Sequence, residues 1–376
     1  MKTKLETVLG QPGWRLEADA ARLWVTRLGG FMAPVEFRSG RRVVSPYAIP
    51  HWAGAKHSGA QGSLAALRGD AFCLPFGANK RPWRGERHPS HGNIFQGNWN
   101  HVATGAADGA ATLVLEADTG TRPGKVRKEV TLRDGHTVVY QRHVISGMTG
   151  RMSFGHHATL VFPERERSGA IGMSRVLFGR THDAGFEHPA AGGYTSLRPD
   201  AVFRSLRRVP RSDGTWADLT SYPTEAGFEN LVLLASDPAL PLAWTTVTFA
   251  DEGWLWFSLK RPSELTCTLF WMSNGGRHYA PWNGRHRRRL GLEEVTALPE
   301  GLYEAARPNV FSRAGVATCR EFRGDRPLAV RSAAGVCAIP RGFDRVKDVV
   351  LRAGRIRLTA VSGAVAETRF DGRFFD

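Results

Sequence analysis

The sequence lacks long apolar runs and closely spaced cysteines, and each lack excludes a class of protein. No run of about 18 apolar residues occurs in the 376 residues, so no membrane-spanning helix is expected. The first residues, MKTKLETVLGQPGW, contain no apolar stretch typical of a secretion signal, so a cytoplasmic protein is expected. The four cysteines show no C-x-x-C spacing, which disfavours a zinc ribbon and predicts reduced, buried thiols.

Motifs that bind nucleotides or build parallel sheets are also missing. No G-x-G-x-x-G opens a helix, no Walker sequence occurs, and strands do not alternate with helices, which disfavours an α/β fold. No repeat of fixed period suggests a propeller, and no Pro/Ser-rich linker divides the chain. We therefore expect residues 1–376 to form a single domain.

The charge is strongly positive but scattered along the chain. The formal net charge is +16, and the basic residues are mostly arginines, with local clusters only at 80–87 and 285–289. Because no recognition motif accompanies this charge, a nucleic-acid partner is not expected. Arginine suits carboxylate, phosphate or sulfonate groups, so an anionic small molecule is favoured over nucleic acid or a membrane.

Short strands dominate the hydrophobic pattern. Apolar and β-branched segments lie at 22–28, 111–117, 125–133, 137–146, 230–235, 243–249, 253–259 and 265–272. Asp134-Gly135 predicts a tight hairpin because glycine readily adopts positive φ. Helical turns are expected only within 224–235 and 299–308, and residues 181–223 are predicted to be extended loops. The pattern predicts an all-β fold, a large antiparallel β-sandwich with little helix.

Three stretches combine His, Trp, Asn or Arg with an apolar strand, at 72–99, 152–163 and 271–296. Polar residues at strand ends and in loops commonly form binding sites. In the first stretch, Pro75 and Asn79 precede the pair His91-Gly92, and Trp99 follows His91 by eight positions. The second contains GHHATLVFP, and the third contains LGLEEV.

These motifs, in this order and spacing, resemble the galactose mutarotase-like family, the aldose 1-epimerases and their relatives. The resemblance covers most of the chain from about residue 20 and implies a β-supersandwich that needs no metal or cofactor. It further implies that the protein interconverts the anomers of a free aldose, with Glu293 as the base and His157 as the acid. The base removes the proton of the C1 hydroxyl while the acid protonates the ring oxygen. The substrate-binding residues expected are His91, Asn79, Lys80, Arg81, Trp99, Arg277, Trp282 and Arg285.

Departures from the family pattern bear on the sugar more than on the chemistry. Lys80, followed by Arg81, stands where the family has an arginine, and Phe95 stands where it has a second one. The acid motif also lacks its usual Pro-aromatic tail. The chain therefore resembles a divergent branch, and an acidic or sulfonated sugar is one interpretation of its arginines.

Several alternatives stay open at this level. Adjacent strand residues face opposite ways, so either Glu293 or Glu294, and either His156 or His157, faces the site, and the histidine pair is a poor metal site. The arginines 285–289 are expected to form the solvated turn of a hairpin. A carbohydrate-binding protein without catalysis, or a polysaccharide lyase or hydrolase using Tyr279, remains an alternative function. The oligomeric state is open between monomer and homodimer.

Overall fold

Strands make up the framework of the protein, whose computed structural model describes residues 4–40, 42–55 and 59–376. The first part of the chain contains β1 (Glu6–Val8), β2 (Gln11–Glu17), β3 (Ala21–Thr26), β4 (Met32–Ser39), β5 (Arg42–Val44), β6 (Phe72–Cys73), β7 (Asn100–Ala107), β8 (Ala110–Asp118) and β9 (Lys125–Arg133). The middle contains β10 (Val138–Ser146), β11 (Gly150–Met152), β12 (Phe154–His156), β13 (Thr159–Val161), β14 (Gly169–Met173), β15 (Val176–Thr181), β16 (Val202–Phe203), β17 (Val209–Pro210), β18 (Trp216–Ala217) and β19 (Ser221–Tyr222).

The last part of the chain adds longer strands and the remaining helical turns. The strands are β20 (Phe228–Ser236), β21 (Ala243–Phe249), β22 (Trp254–Lys260), β23 (Cys267–Asn274), β24 (Arg289–Thr296), β25 (Arg320–Phe322), β26 (Leu328–Ala338), β27 (Val346–Arg352), β28 (Arg355–Ala360) and β29 (Val365–Arg369). The α-helices of the described chain are single turns, α1 (Ser63–Ala66), α2 (Asn93–Gln96), α3 (Leu302–Ala305) and α4 (Val310–Arg313), with 3-10 turns at Pro189–Ala191 and Gly372–Phe375. None of these helices is long and apolar enough to cross a membrane.

Two large antiparallel sheets face each other. One has nine strands in the order β19-β14-β21-β22-β26-β10-β9-β8-β7. The other has eight, in the order β16-β15-β20-β23-β24-β12-β6, with β13 also paired to β24. Apolar side chains from both sheets and from the N-terminal sheet β1–β5 share one buried core. This arrangement confirms the predicted all-β sandwich with little helix.

The C-terminal sheet β27–β29 covers the other face of the nine-stranded sheet. Its buried residues Ile356 and Leu358 belong to a cluster with Val138 and Phe257 of the large sheet. Burial on both faces explains why β22 contains Trp and Phe on alternate sides with few polar residues.

The connections between strands agree with the sequence in some places and differ from it in others. Gly135 has φ +75° in the connection between β9 and β10, whose strands pair antiparallel, as Asp134-Gly135 predicts. The expected helical turn within 299–308 is α3, whereas residues 228–235 are strand β20 and not helix. The region 181–223 also differs from prediction, because it contains β16 to β19 and a 3-10 turn.

The arginine-rich run ends a long connection between β23 and β24 and is not a tight turn. Strands β23 and β24 pair antiparallel, but residues 275–288 lie between them. Arg285 and Arg287 are exposed as expected, whereas His286 between them is buried. The expectation of a wholly solvated turn is therefore wrong, because the run also supplies a packed side chain.

Candidate functional site

A cavity of about 760 Å³ opens on the face of the eight-stranded sheet that points away from the nine-stranded sheet. Its apolar walls come from Leu64, Leu67, Phe76, Phe95, Phe186, Leu231, Leu269, Trp271 and Trp282. Its polar lining includes Lys80, Arg81, His91, His157, Asp183, Arg277, Tyr279, Glu187, Glu293, Glu300 and Glu304. A large cavity with mostly apolar walls and a few converging polar groups is typical of a small-molecule site.

Strand alternation decides which of the two adjacent glutamates reaches the cavity. Glu293 lines it, whereas the carboxylate of Glu294 lies between the two sheets, 2.5 Å from Nζ of Lys260. Gly291, two residues before Glu293 on the same face, leaves room for the glutamate side chain. A Cβ at Gly291 would lie 2.4 Å from Oε1 of Glu293.

His157 faces Glu293 at the edge between β12 and β13. Its Nδ1 lies 3.6 Å from Oε1 of Glu293. The backbone amide of His157 donates to the carbonyl of Ala71 at 2.8 Å and to Oδ1 of Asp70 at 3.2 Å. The preceding side chain, His156, points the other way and contacts Asp70 between the sheets.

Burial shifts the pKa of the two facing groups in opposite directions. Burial, together with the negative charge of Asp70, raises the pKa of Glu293 well above its ordinary value. Burial lowers the pKa of His157 to about 4 and outweighs the opposing effect of Asp70. Both shifts favour a proton on the carboxyl and none on the imidazole, so the pair offers the one acid and the one base that this type of catalysis requires.

His91 completes the polar end of the cavity. Its ring centroid lies 5.0 Å from that of His157, and burial with the neighbouring His157 lowers its pKa well below the ordinary value. The following Gly92 has φ +80°, and a Cβ there would lie 1.9 Å from the carbonyl oxygen of Leu74. Glycine at position 92 therefore lets the chain pass close to Leu74 directly after His91.

Aromatic side chains form one wall, and a cation packs against them. The ring centroids of Trp271 and Trp282 lie 5.8 Å apart, and the guanidinium carbon of Arg277 lies 4.6 Å from the centroid of Trp282. Nε of Arg277 donates to Glu187 at 2.7 Å, and the hydroxyl of Tyr279 donates to the same carboxylate. Arg277 and Trp282 thus reach the cavity, but the charge of Arg277 already has a partner.

Glu187 and Glu229 are functional candidates that the motifs did not indicate. Glu229 is fully buried behind Trp271, where it accepts hydrogen bonds from Trp271 Nε1 and Ser273 Oγ, and burial raises its pKa to about 7. The signal for Glu229 was its position as a lone charge in an apolar strand. Glu187 had no such signal, because its partner Arg277 is distant in sequence.

The two basic residues of the first motif lie at the exposed side of the cavity. Lys80 is exposed, and its Nζ donates to the carbonyl of Gly185 at 3.1 Å. Arg81 lies 3.5 Å from Glu304, and its guanidinium packs over Tyr303. Both line the cavity, but Arg81 is already paired.

Three of the expected binding residues do not line the cavity. Trp99 is fully buried in the core, where its Nε1 donates to the carbonyl of Ile94 at 3.0 Å. The side-chain amide of Asn79 donates hydrogen bonds to the carbonyls of Pro75, Gly77 and Pro89, which stabilises the loop. Arg285 is exposed on the long connection. These placements correct the assignment of all three residues.

Within the described ranges, no group of three or more His, Cys, Asp or Glu side chains is arranged to hold a metal ion. The four cysteines are free thiols, of which Cys73, Cys267 and Cys337 are buried and Cys319 is partly exposed.

The architecture is similar to that of several solved proteins, although the sequence is not. No family model and no curated protein matches the sequence. The structure is similar to a galactose mutarotase-like protein from Clostridium acetobutylicum, with 12% identity, a TM-score of 0.60 and coverage of 89% of this chain and 98% of that chain. It is also similar to a galactose mutarotase related enzyme from Lactobacillus acidophilus, with 8% identity, a TM-score of 0.55 and coverage of 86% and 97%. A third similar structure is a galactose mutarotase-like protein from Lactobacillus casei, with 11% identity, a TM-score of 0.55 and coverage of 86% of this chain and 99% of that chain. The chain therefore has the galactose mutarotase-like fold that its motifs predict, at no more than 12% sequence identity to these three structures.

Proposed function

We propose that the protein is a mutarotase-type isomerase that interconverts the anomers of a free aldose. The observation that carries this proposal is the placement of His157 Nδ1 3.6 Å from Glu293 Oε1 at one end of the 760 Å³ cavity. The three solved proteins compared above are named as galactose mutarotase-like or galactose mutarotase related, which supports a sugar as the substrate. Aromatic walls at Trp271 and Trp282 suit the apolar face of a sugar ring.

Ring opening needs a proton acceptor at the C1 hydroxyl and a proton donor at the ring oxygen. In the proposed cycle, Glu293 accepts the hydroxyl proton and His157 protonates the ring oxygen. The C1–O5 bond then breaks, and the aldehyde rotates before the ring closes on its other face. Both groups reverse roles on closure, so no net proton is consumed.

The single proton of the pair has to sit on His157 when the sugar binds. Without a bound sugar, the raised pKa of Glu293 and the lowered pKa of His157 favour the proton on Glu293. Hydroxyl groups of a bound sugar donate to a carboxylate and stabilise its charged form, which lowers its pKa. Sugar binding therefore favours transfer of the proton to His157 and prepares Glu293 as the base.

The expected anionic substituent, an acidic or sulfonated group on the sugar, would contact Lys80. Arg277 is paired with Glu187 and Arg81 with Glu304, whereas Lys80 has only the carbonyl of Gly185 as a partner among the described residues. Lys80 thus has a charge free to meet an anion.

The decisive experiment follows a freshly dissolved pure anomer by polarimetry and exchange NMR over a panel of neutral and acidic aldoses. Glu293→Gln keeps the shape of the side chain but accepts no proton, and His157→Asn cannot cycle one. Each should lower kcat by about 10²–10⁴-fold, the usual contribution of a general acid or base. The exposed, remote Glu252→Gln is the matched control and should retain full activity.

A second outcome would assign a different function to the same cavity. If wild type binds sugars by NMR but accelerates anomer exchange of none, the protein is a carbohydrate-binding protein without catalysis. A lyase or hydrolase using Tyr279 is less well supported, because burial raises the pKa of that phenol to about 12 and its hydroxyl already donates to Glu187. Release of product from acidic or neutral polysaccharides would test it.

A further inference from the structure

A cluster of polar and charged side chains lies buried between the two large sheets, directly behind His157. It consists of Asp70, Lys128, Gln141, His143 and His156, each at most 2% exposed. Lys128 is on β9, Gln141 and His143 are on β10, and His156 is on β12. The cluster therefore joins the nine-stranded sheet to the strand edge that carries His157.

Asp70 is the centre of this cluster because its carboxylate accepts three hydrogen bonds. Oδ2 accepts from Gln141 Nε2 at 2.6 Å and from His156 Nδ1 at 3.0 Å. Oδ1 accepts from the backbone amide of His157 at 3.2 Å. One carboxylate thus holds both residues of the His156-His157 pair, one through its side chain and the other through its backbone.

We propose that Asp70 is a positioning residue for the Glu293–His157 site, which fixes the backbone at His157 and places one negative charge behind the pair. The inference rests on the proposed function for its catalytic consequence, but the geometry of Asp70 does not depend on which sugar is bound. Asp70 does not line the cavity, so it acts only through the two facing groups.

The charge of Asp70 is maintained by its surroundings. Burial alone would raise its pKa, but His156, Lys128 and Gln141 together hold the pKa below the ordinary value. The negative charge in turn raises the pKa of both Glu293 and His157, which keeps the shared proton on the pair. Lys128, whose Nζ donates to the carbonyl of Gly30 at 2.9 Å, supplies the opposing positive charge.

Other titratable groups near Asp70 act more weakly on the facing pair. Burial and the negative charge of Asp70 both raise the pKa of Tyr47 and of Cys73, so both groups are neutral at neutral pH. On the cavity side, Arg277 acts on His157 and opposes Asp70. A buried ionic cluster of this kind contributes little net stability, so an effect on catalysis is the sharper expectation.

The test measures the titration of the His157 imidazole by NMR in protein labelled at histidine, with His157→Asn to assign the signal. Asp70→Asn removes the negative charge and should move the midpoint to lower pH by about one pH unit. Lys128→Met removes the opposing charge and should move it to higher pH. Gln141→Met, the control, breaks a hydrogen bond to the same carboxylate without changing a charge and should shift it least.

Activity gives a second, separate measurement. Asp70→Asn should lower kcat by about 10–100-fold, as for other outer partners of catalytic groups, with KM little changed. The pH profile of kcat/KM should move to lower pH in Asp70→Asn and to higher pH in Lys128→Met. Titration shifts of the same sign in both variants, or none in either, would overturn the proposal.

The design separates this inference from the proposed function. If wild type turns over no sugar, the mutarotase proposal fails while the NMR titrations still judge Asp70. If Asp70→Asn does not fold, Lys128→Met compared with Gln141→Met decides the question, because the charge effect requires a larger upward shift in the lysine variant. A fall in kcat in Asp70→Asn with no change in titration or pH profile would reduce Asp70 to a purely structural residue.

Discussion

Glu293 and Glu294 are adjacent on β24, yet their carboxylates lie on opposite sides of the eight-stranded sheet. Glu293 lines the cavity, where its Oε1 lies 3.6 Å from Nδ1 of His157, whereas Glu294 lies between the sheets. There Glu294 contacts Lys260 and accepts hydrogen bonds from Ser258 and Thr268. The same residue type thus faces a cavity and a histidine on one side of the sheet and a buried lysine on the other.

This contrast predicts opposite effects of two matched substitutions on stability. Burial raises the pKa of Glu293, so the folded protein binds its proton more tightly than the unfolded chain, and this residue costs stability as pH rises above its unfolded pKa. Glu293→Gln should therefore raise the thermal midpoint at pH 7. Glu294→Gln leaves the buried ammonium of Lys260 without a charged partner and should cost about 3–5 kcal/mol.

Thermal unfolding by circular dichroism at pH 7 and pH 5 measures both effects. The gain in Glu293→Gln should shrink at pH 5, because less of the carboxyl is ionised in the unfolded chain there. The effects on activity should be the reverse of the effects on stability. Folded Glu294→Gln should be active, whereas Glu293→Gln should be inactive. Equal destabilisation by the two substitutions would contradict the assignment of faces.

The pH profile of the free protein should reflect the low pKa of His157. The pair keeps one proton between the pKa of His157, about 4, and the raised pKa of Glu293. As pH falls through about 4, His157 takes a second proton and the pair loses its base. We expect kcat/KM, measured by exchange NMR, to hold down to about pH 5. An acid limb centred near 6.5, the ordinary value for histidine, would count against this environment.

The sequence-based expectation for Glu293 and His157 follows from chain periodicity and motif order. Strand alternation allowed only one residue of each adjacent pair to face the cavity, and the motif order indicated Glu293 and His157, which the structure brings together. Trp99 and Asn79 were expected to bind substrate because of the same kind of motif spacing. Spacing, however, does not show which residues of a loop face the cavity. Trp99 follows the short helix α2 and packs into the core.

The parts that the sequence could not predict depend on contacts between distant segments. Arg277 was expected to meet an anionic ligand, but its partner Glu187 lies in a separate loop, at 2.7 Å in space. Asp70 precedes the first motif and carries no signal of its own, yet it binds the backbone of His157. Such pairings depend on the tertiary packing of segments distant in sequence and not on local pattern.

Gly291 should be needed for the position of the Glu293 carboxylate and much less for the fold. A Cβ at Gly291 would lie 2.4 Å from Oε1 of Glu293 and 3.0 Å from Cβ of Trp271. The carboxylate is the end of a flexible side chain, so it moves before the backbone does. Gly291→Ala should therefore lower kcat by about 10²-fold, the loss typical of a displaced reacting group, with a small change in thermal midpoint.

The control for Gly291→Ala is Gly105→Ala. Gly105 is on the edge strand β7, and a Cβ there would meet no atom within 4 Å. Both substitutions place alanine in a strand, so propensity effects match. Normal kcat in Gly291→Ala, or an equal loss in both variants, would show that the glycine does not position Glu293.

Lys80 should distinguish an acidic or sulfonated aldose from its neutral parent. Its ammonium is exposed at the cavity and donates to the carbonyl of Gly185, whereas Arg81 and Arg277 are held by Glu304 and Glu187. Lys80→Ala should lower kcat/KM for the anionic sugar by about tenfold, equivalent to about 1.4 kcal/mol, with a smaller loss for the neutral sugar. Because the contact is exposed, 0.5 M salt should reduce the difference.

Lys347→Ala, which changes an exposed lysine on β27, is the control. Equal losses for both sugars, or a preference that survives in Lys80→Ala, would remove the reason to assign an anionic group to this residue.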